Sequence, residues 1–448
     1  MAVDKNIFLH ESDKAALDAL EAIPGFTQVT RAFIKAWNEK MMYIQNMSTN
    51  IRIDDRQLKK YHDMLIPICE KLDIEVPDLF LTLNVVPNAW TSGDEKPYIV
   101  MTSGLLETMP EELIPTILAH ECGHIACHHV LYRTMGQMIL NGSLMMMLGT
   151  GLGAFISIPL RSAFAYWMRC SEFSADRAAI LCDGSADHLV EMCMRFAGFG
   201  NNVAGEMNRE AFIDQARDYK KLIENDQGNQ AMEFMLFRNN SHPINAVRAL
   251  EAMDFASSQQ FYKAKRYMDA CRRKETPFEF PLSFSDHSLI GKDLAEVRKE
   301  LEEKGFEVSV QRLTEKNILL KEGSVTKILL NGSDAYKEGD WFEKGAKALV
   351  EYYRPLSEKE VTRMHPGQVR MPNASSYYIG KDIREADMEL YEVGIVNTSL
   401  IPLRDLESDK DPRMNKVVSI SINGKESFEK DEWVSAMDDV AITYHTDR

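Results

Sequence analysis

The stretch LAHECGHIACHHV places His120 and His124 four residues apart, with Glu121 next to the first of them. One helical turn takes about 3.6 residues, so both imidazoles project from one face of a helix. Two imidazoles so placed can hold a divalent metal ion, and the adjacent carboxylate then reaches a water on the metal rather than the metal itself. The chemistry such a trio can do is hydrolysis by a metal-activated water, with Glu121 as the base. The pattern H-E-x-x-H is short, and a surface helix that happens to carry two histidines produces it too.

A catalytic zinc site needs a third protein ligand and an open fourth position for water. The metzincin arrangement would put a third histidine at position 130, which is Val130, so it is excluded. The other arrangement uses an acid on a later helix. From Ile125 to Ser171 the chain has no Asp or Glu. The first acid is Glu172, in RCSEFSADRAAI, and Asp176 follows at i+4 on the same helical face. Glu172 can bind zinc, and Asp176 can hydrogen-bond a ligand histidine and fix its orientation. An amphipathic helix with two solvated acids stays open as the alternative.

HECGH, SEFSAD and SHPINAVRAL (241–250) occur in that order, and PNAW and SGLLETM precede the first. Together these motifs resemble the HtpX-like gluzincin metallopeptidases, a family that includes the CAAX prenyl proteases, across residues 10–270. The resemblance implies Zn2+ as cofactor, held by His120, His124 and Glu172, with Glu121 as catalytic base. It further implies that His242 helps to stabilise an oxyanion and that Arg248 has a structural or supporting role. The substrate it implies is a peptide or protein. A non-enzymatic binding or scaffold protein with a structural zinc domain is the alternative, and an intact Glu121 speaks against it. His128, one turn past His124, is expected to pack or to support a ligand. Cys122 and Cys127 are expected as small buried apolar residues.

The elements that must position these groups are legible in outline. Residues 1–75 carry apolar residues at three- and four-residue spacing and are expected to be helical. LFLTLNVV (79–86) and PYIVMTS (97–103) are expected as strands separated by a turn-like PNAWTSGDEK. The PYIVMTS strand is expected to offer an edge to an extended substrate. One long helix is expected from Pro110 to Met135, with Pro110, Glu111 and Glu112 in its first turn.

The formal net charge of −16 excludes a general nucleic-acid binder, which would carry a basic face. Seven scattered cysteines without a CxxC pair argue against a disulfide framework and for a reducing compartment. The N-terminus shows no basic region followed by an apolar run, and a cytoplasmic location is expected. From Thr134 to Leu160 the chain runs 27 residues without a charge. A single membrane crossing there would put His124 and Glu172 on opposite sides, which one zinc ion forbids. A helical hairpin turning near Gly149, Gly151 and Gly153 is expected instead, packed in protein or dipping into lipid as a peripheral membrane contact.

Beyond residue 271 the composition changes. LIGKDLAEVRKELEEKGFEV (289–308) is repeated as YIGKDIREADMELYEVGIVN (378–397), and VTKILLNG (325–332) as VSISING (418–424). Leu294, Val297 and Leu301 give the first unit's helix an apolar face that Ile383, Ala386 and Leu390 reproduce. Each unit is expected as one helix on a small, mostly antiparallel sheet, and the pair resembles PASTA-type modules. The expected organisation is a mainly α-helical zincin-type peptidase domain with a small β-sheet (1–275), a linker (276–288), a first α+β repeat (289–353), a second linker (354–376) and a second α+β repeat (377–448). The repeats contain no nucleophile, metal cluster or phosphate loop, and they are expected to act as an arm for a partner protein or substrate.

Overall fold

A computed structural model of the chain describes residues 3–448 apart from 145, 147–157, 199, 238, 239, 241 and 316–318. The chain forms two compact units, the first comprising residues 1–289, 298–308 and 329–348 and the second the remainder. The architecture is multidomain, with a mainly helical first part, several small sheets and a β-rich C-terminal region.

In the first unit the helices are α1 (Glu11–Glu21), α2 (Phe26–Ala36), α3 (Glu39–Thr49), α4 (Lys59–Leu72), α5 (Ser103–Thr108), α6 (Ile114–Ala126), α7 (Val130–Leu140), α8 (Ile158–Asp183), α9 (Asp187–Ala197), α10 (Arg209–Glu224), α11 (Gln227–Phe237), α12 (Asn245–Ser257) and α13 (Gln259–Arg272). One four-stranded sheet accompanies them, in the order β1 (Ile51–Ile53), β2 (Asp78–Thr82), β4 (Tyr98–Thr102), β3 (Ala89–Ser92). β2 runs parallel to β4, and β3 runs antiparallel to it.

Two strand expectations are corrected here. LFLTLNVV is a strand only to Thr82, and Leu83, Val85 and Val86 beyond it are exposed. PYIVMTS does not offer an edge: all of β4 is buried between β2 and β3, and the outer strand is β3. β3 comes from AWTS inside the segment expected as a turn, so the true turn is only the short hairpin after Ser92. Gly93 opens that hairpin at φ +86, and the Glu39 carboxylate accepts from the amides of Asp94, Glu95 and Lys96.

The single helix expected over 110–135 is also two. A 3-10 turn (Glu111–Leu113) follows Pro110, α6 ends at Ala126, and α7 begins at Val130. The break lies at His128, whose φ of +59 is left-handed and stops the helical ladder. His128 is therefore exposed, and His129 is the buried member of the pair.

α6 and α8 cross closely at Gly123. A Cβ there would lie 2.9 Å from Ala178 Cβ and 3.0 Å from Ala175 Cα. Small residues on both helices let the backbones approach, which brings the histidines of α6 to the acids of α8. Gly123→Ala should therefore force the helices apart at a cost of about 1–3 kcal/mol. It should also weaken metal binding, since each helix carries part of the site. Urea unfolding of the full chain checks the first effect, and unchanged stability would show that the crossing is looser than described.

The core of this part packs Leu20, Val29 and Phe33 from α1 and α2 against Met135, Ile139, Leu160, Phe164 and Trp167. In the described flanks of the uncharged stretch 134–160, Met135, Ile139, Leu144 and Leu160 are buried in this core, whereas Met146 and Ile158 are exposed. The hairpin turn expected at Gly149, Gly151 and Gly153 lies outside the described residues. Among the described residues no helix is long and apolar enough to cross a membrane. All seven cysteines are buried free thiols, Cys122 and Cys127 among them. The strand Glu279–Pro281 pairs antiparallel with Trp341–Glu343, both within the first unit.

In the second unit the C-terminal repeat places the helix Ile383–Glu392 on a three-stranded sheet of Thr398–Pro402, Val440–Tyr444 and Val417–Ile422, in that order. The first pair is parallel and the second antiparallel, so the sheet is mixed rather than mostly antiparallel. Ile383, Ala386 and Leu390 are buried in one core with Ile420, Val440 and Ile442. In the preceding repeat the strands Glu307–Leu313, Lys347–Tyr353 and Val325–Leu330 follow the same order, and Val297 and Leu301 are buried while Leu294 is half-buried.

Candidate metal centre

α6 supplies His120, Glu121 and His124, and α8 supplies Glu172 and Asp176; all five side chains are buried. His120 Nε2 lies 3.4 Å from Glu172 Oε2, and His124 Nε2 lies 3.5 Å from Glu172 Oε1. One ligand atom from each of His120, His124 and Glu172 can be chosen so that all lie within 4.8 Å of one another. His124 Nε2 and both carboxylate oxygens of Glu172 are buried without a hydrogen-bond partner. Orphaned buried acceptors are costly unless something binds them. Two imidazole nitrogens and a carboxylate oxygen suit zinc, so the residues present fit the ion.

The surrounding groups hold this trio in place. His120 Nδ1 pairs with Asp176 Oδ1 at 2.8 Å, and Arg248 grips Asp176 through Nε (2.9 Å) and Nη2 (2.6 Å). Arg133 Nη2 approaches Glu172 Oε1 at 2.7 Å as an ion pair without hydrogen-bond alignment. His242 is 59% exposed, yet its Nδ1 lies 3.2 Å from Glu172 Oε2. Glu121 accepts from Thr91 Oγ1 on β3 at 2.7 Å.

These contacts set the charge states. Burial would raise the Glu172 carboxyl, but His242 and Arg133 outweigh it and hold it well below the usual carboxylate range. Burial and the nearby Arg133 push His124 well below the ordinary histidine value, which keeps its ring neutral. Burial would lower His120 as well, but Asp176 and Glu172 overcome it and raise the group to about 9. A metal ion must displace that proton, because ligand imidazoles bind in the neutral form.

A cleft of about 610 Å³ opens on this cluster, lined by Glu121, Glu172, His242, β3 and the apolar side chains of Trp37, Met138 and Met168. Every site residue expected from the sequence is in or against the cluster. His128 is not, because the break in the helix turns it outward. Arg133, His129 and Thr91 are there without having been expected. Arg133 had a usable signal, being nine residues past His124 on a stretch otherwise free of charge up to Arg161.

The chain matches the model of peptidase family M48 over residues 55–254. It is 31% identical over 280 residues to the plastoglobule-localized metallopeptidase 48, chloroplastic, of Arabidopsis thaliana, covering 61% of this chain and 78% of that one. It is 22% identical to protease HtpX homolog 2 of Methanosarcina mazei over 34% of this chain and 60% of the relative. Among solved structures it matches the three-PASTA-domain of a Ser/Thr kinase from Staphylococcus aureus at 15% identity, over 36% of this chain and 64% of that chain, with a TM-score of 0.14. The Arabidopsis match extends over 78% of that protein's length: this chain belongs to peptidase family M48, and it is a metalloprotease of that zinc-dependent family.

Proposed function

We propose that the chain is an endopeptidase that hydrolyses peptide bonds with a zinc ion held by His120, His124 and Glu172. The observation that carries this is that ligand atoms of His120, His124 and Glu172 lie within 4.8 Å of one another, while His124 Nε2 and both Glu172 oxygens are buried without a hydrogen-bond partner. Zinc bound there supplies Lewis acidity and lowers the pKa of a water to about 7. Glu121, steadied by Thr91, takes a proton from water and returns it to the leaving amine. His242, on the cleft side of Glu172, donates to the oxyanion that develops on the scissile carbonyl. Asp176 and Arg248 orient His120 and touch no substrate.

The outer strand β3 carries Thr91 beside the base, so an extended peptide that pairs with β3 passes through the cleft with its backbone next to Glu121. The C-terminal repeats serve as an arm that binds a partner or recruits a protein substrate, adding local concentration rather than chemistry. The test is metal removal. Full-length protein should hydrolyse casein, lose that activity on chelation and regain it with zinc. Undiminished hydrolysis after verified removal of the metal would reject the mechanism.

A further inference from the structure

The helix break at His128 sends His129 back toward the site, and what it meets there is built rather than incidental. His129 Nδ1 lies 3.1 Å from Nδ1 of His124. Its other nitrogen, Nε2, lies 3.0 Å from Asp13 Oδ2 on α1. Asp13 also accepts from Ser174 Oγ at 2.6 Å and from Trp167 Nε1 at 3.0 Å. The Ser174 hydroxyl in turn accepts from the His10 amide at 2.9 Å, which fixes the start of α1 to α8. Asp13, His129 and His124 are all buried.

We propose that Asp13 and His129 are positioning residues for zinc, acting through His124 as a carboxylate–imidazole–imidazole relay. The inference rests on His124 being a zinc ligand. One arrangement of protons satisfies every member. With His124 Nε2 turned to the metal, its proton sits on Nδ1 and is donated to His129 Nδ1. His129 then carries its own proton on Nε2 and donates it to Asp13. The carboxylate is locked by three donors, so it fixes the ring of His129 and through it the ring of His124. An anchored hydrogen bond on the far nitrogen sets a ligand's tautomer and raises its basicity. His120 receives the same service directly from Asp176, whereas His124 receives it one residue removed. Asp13 lies outside residues 55–254, so the relay ties α1 to a site whose family match does not include that helix.

The test compares full-length His129→Phe, His129→Gln and Asp13→Asn with wild type and Glu172→Ala. Three quantities are read: the zinc Kd by competition with a chromophoric chelator, the visible spectrum after cobalt substitution, and the melting temperature of the metal-free protein. His129→Phe keeps the ring volume against Trp167 and removes both hydrogen bonds. It should weaken zinc by about 10–100-fold and alter the cobalt spectrum. His129→Gln, which keeps one donor and one acceptor, should recover part of that loss. Asp13→Asn should weaken zinc through His129, and combining it with His129→Phe should add little. Unchanged zinc Kd and cobalt spectrum in His129→Phe, even with a lower metal-free melting temperature, would mark the contacts as merely structural and overturn the relay. That result, alongside lost zinc in Glu172→Ala, leaves the ligand set standing. Full zinc retention by Glu172→Ala would overturn the ligand set itself, and the relay with it. Should Asp13→Asn fail to fold, His129→Phe and His129→Gln decide alone.

Discussion

Glu121→Gln should keep the fold and the zinc and lose at least about a hundredfold in kcat, the scale of general base catalysis. The side chain is buried in the wall of the cleft, and it accepts a hydrogen bond from Thr91. A glutamine has the same shape, and its carbonyl oxygen can still accept from that hydroxyl. What it lacks is the capacity to take a proton from water and hand it on. The zinc trio does not include this residue, so metal content should stay at the wild-type level. Elemental analysis and turnover of a verified substrate are the two measurements. Equal metal with wild-type turnover would mean that another group is the base.

The second large effect is at the acid on α8. Glu172→Ala should lose zinc and activity together, because it removes the one carboxylate of the His120, His124 and Glu172 trio. Glu172 also balances buried charge: Arg133 lies 2.7 Å and Arg248 3.7 Å from its oxygens. Removing one member of a buried ion pair costs about 3–5 kcal/mol, so the metal-free variant should be less stable too. Glu172→Gln keeps the bulk but not the charge, so zinc loss and the unbalanced arginines should persist while any loss from missing packing does not. Asp176→Ala should be milder, weakening zinc through the orientation of His120. Tight, full zinc in both Glu172 variants would move the third ligand elsewhere.

The grouping of His120, His124, Glu172 and Asp176 was legible because it depends on local spacing. Four-residue pairs on two helices, with no acid between them, leave few ways to assemble a cluster. His129 and Asp13 were not legible. Their meeting requires the break at His128, and nothing in IACHHVLY forbids a continuous helix. The break coincides with His129 turning inward to His124 and Asp13, tertiary contacts that local propensity does not report. β3 was missed for a related reason. Four residues of AWTS carry too little alternation to outweigh the turn residues around them, and their pairing partner, β4, is needed to make them a strand. The mixed hand of the C-terminal sheet likewise depends on which strand lands in the middle. The helix faces of the repeats, by contrast, were plain in the sequence because their period is internal to each helix.

The contacts of the N-terminal segment bear on how the chain acquires its structure in time. Asn6 and Lys14 both bond Glu338, across sequence separations of 332 and 324 residues. The two helices that carry the zinc cluster meet across only 56 residues, as in His120 and Asp176. On a growing chain α6 and α8 can therefore find each other early, whereas the full anchorage of α1 waits for a segment made much later. Contacts of such long range are slow to form, and chains of this size mature piece by piece during synthesis. The catalytic helices then come first, α1 joins them through Asp13, Trp167 and Ser174, and its contacts to Glu338 are added near the end. In a chain built in this order the last of these contacts to form are those of Asn6 and Lys14 with Glu338, after the helices of the zinc cluster are in place.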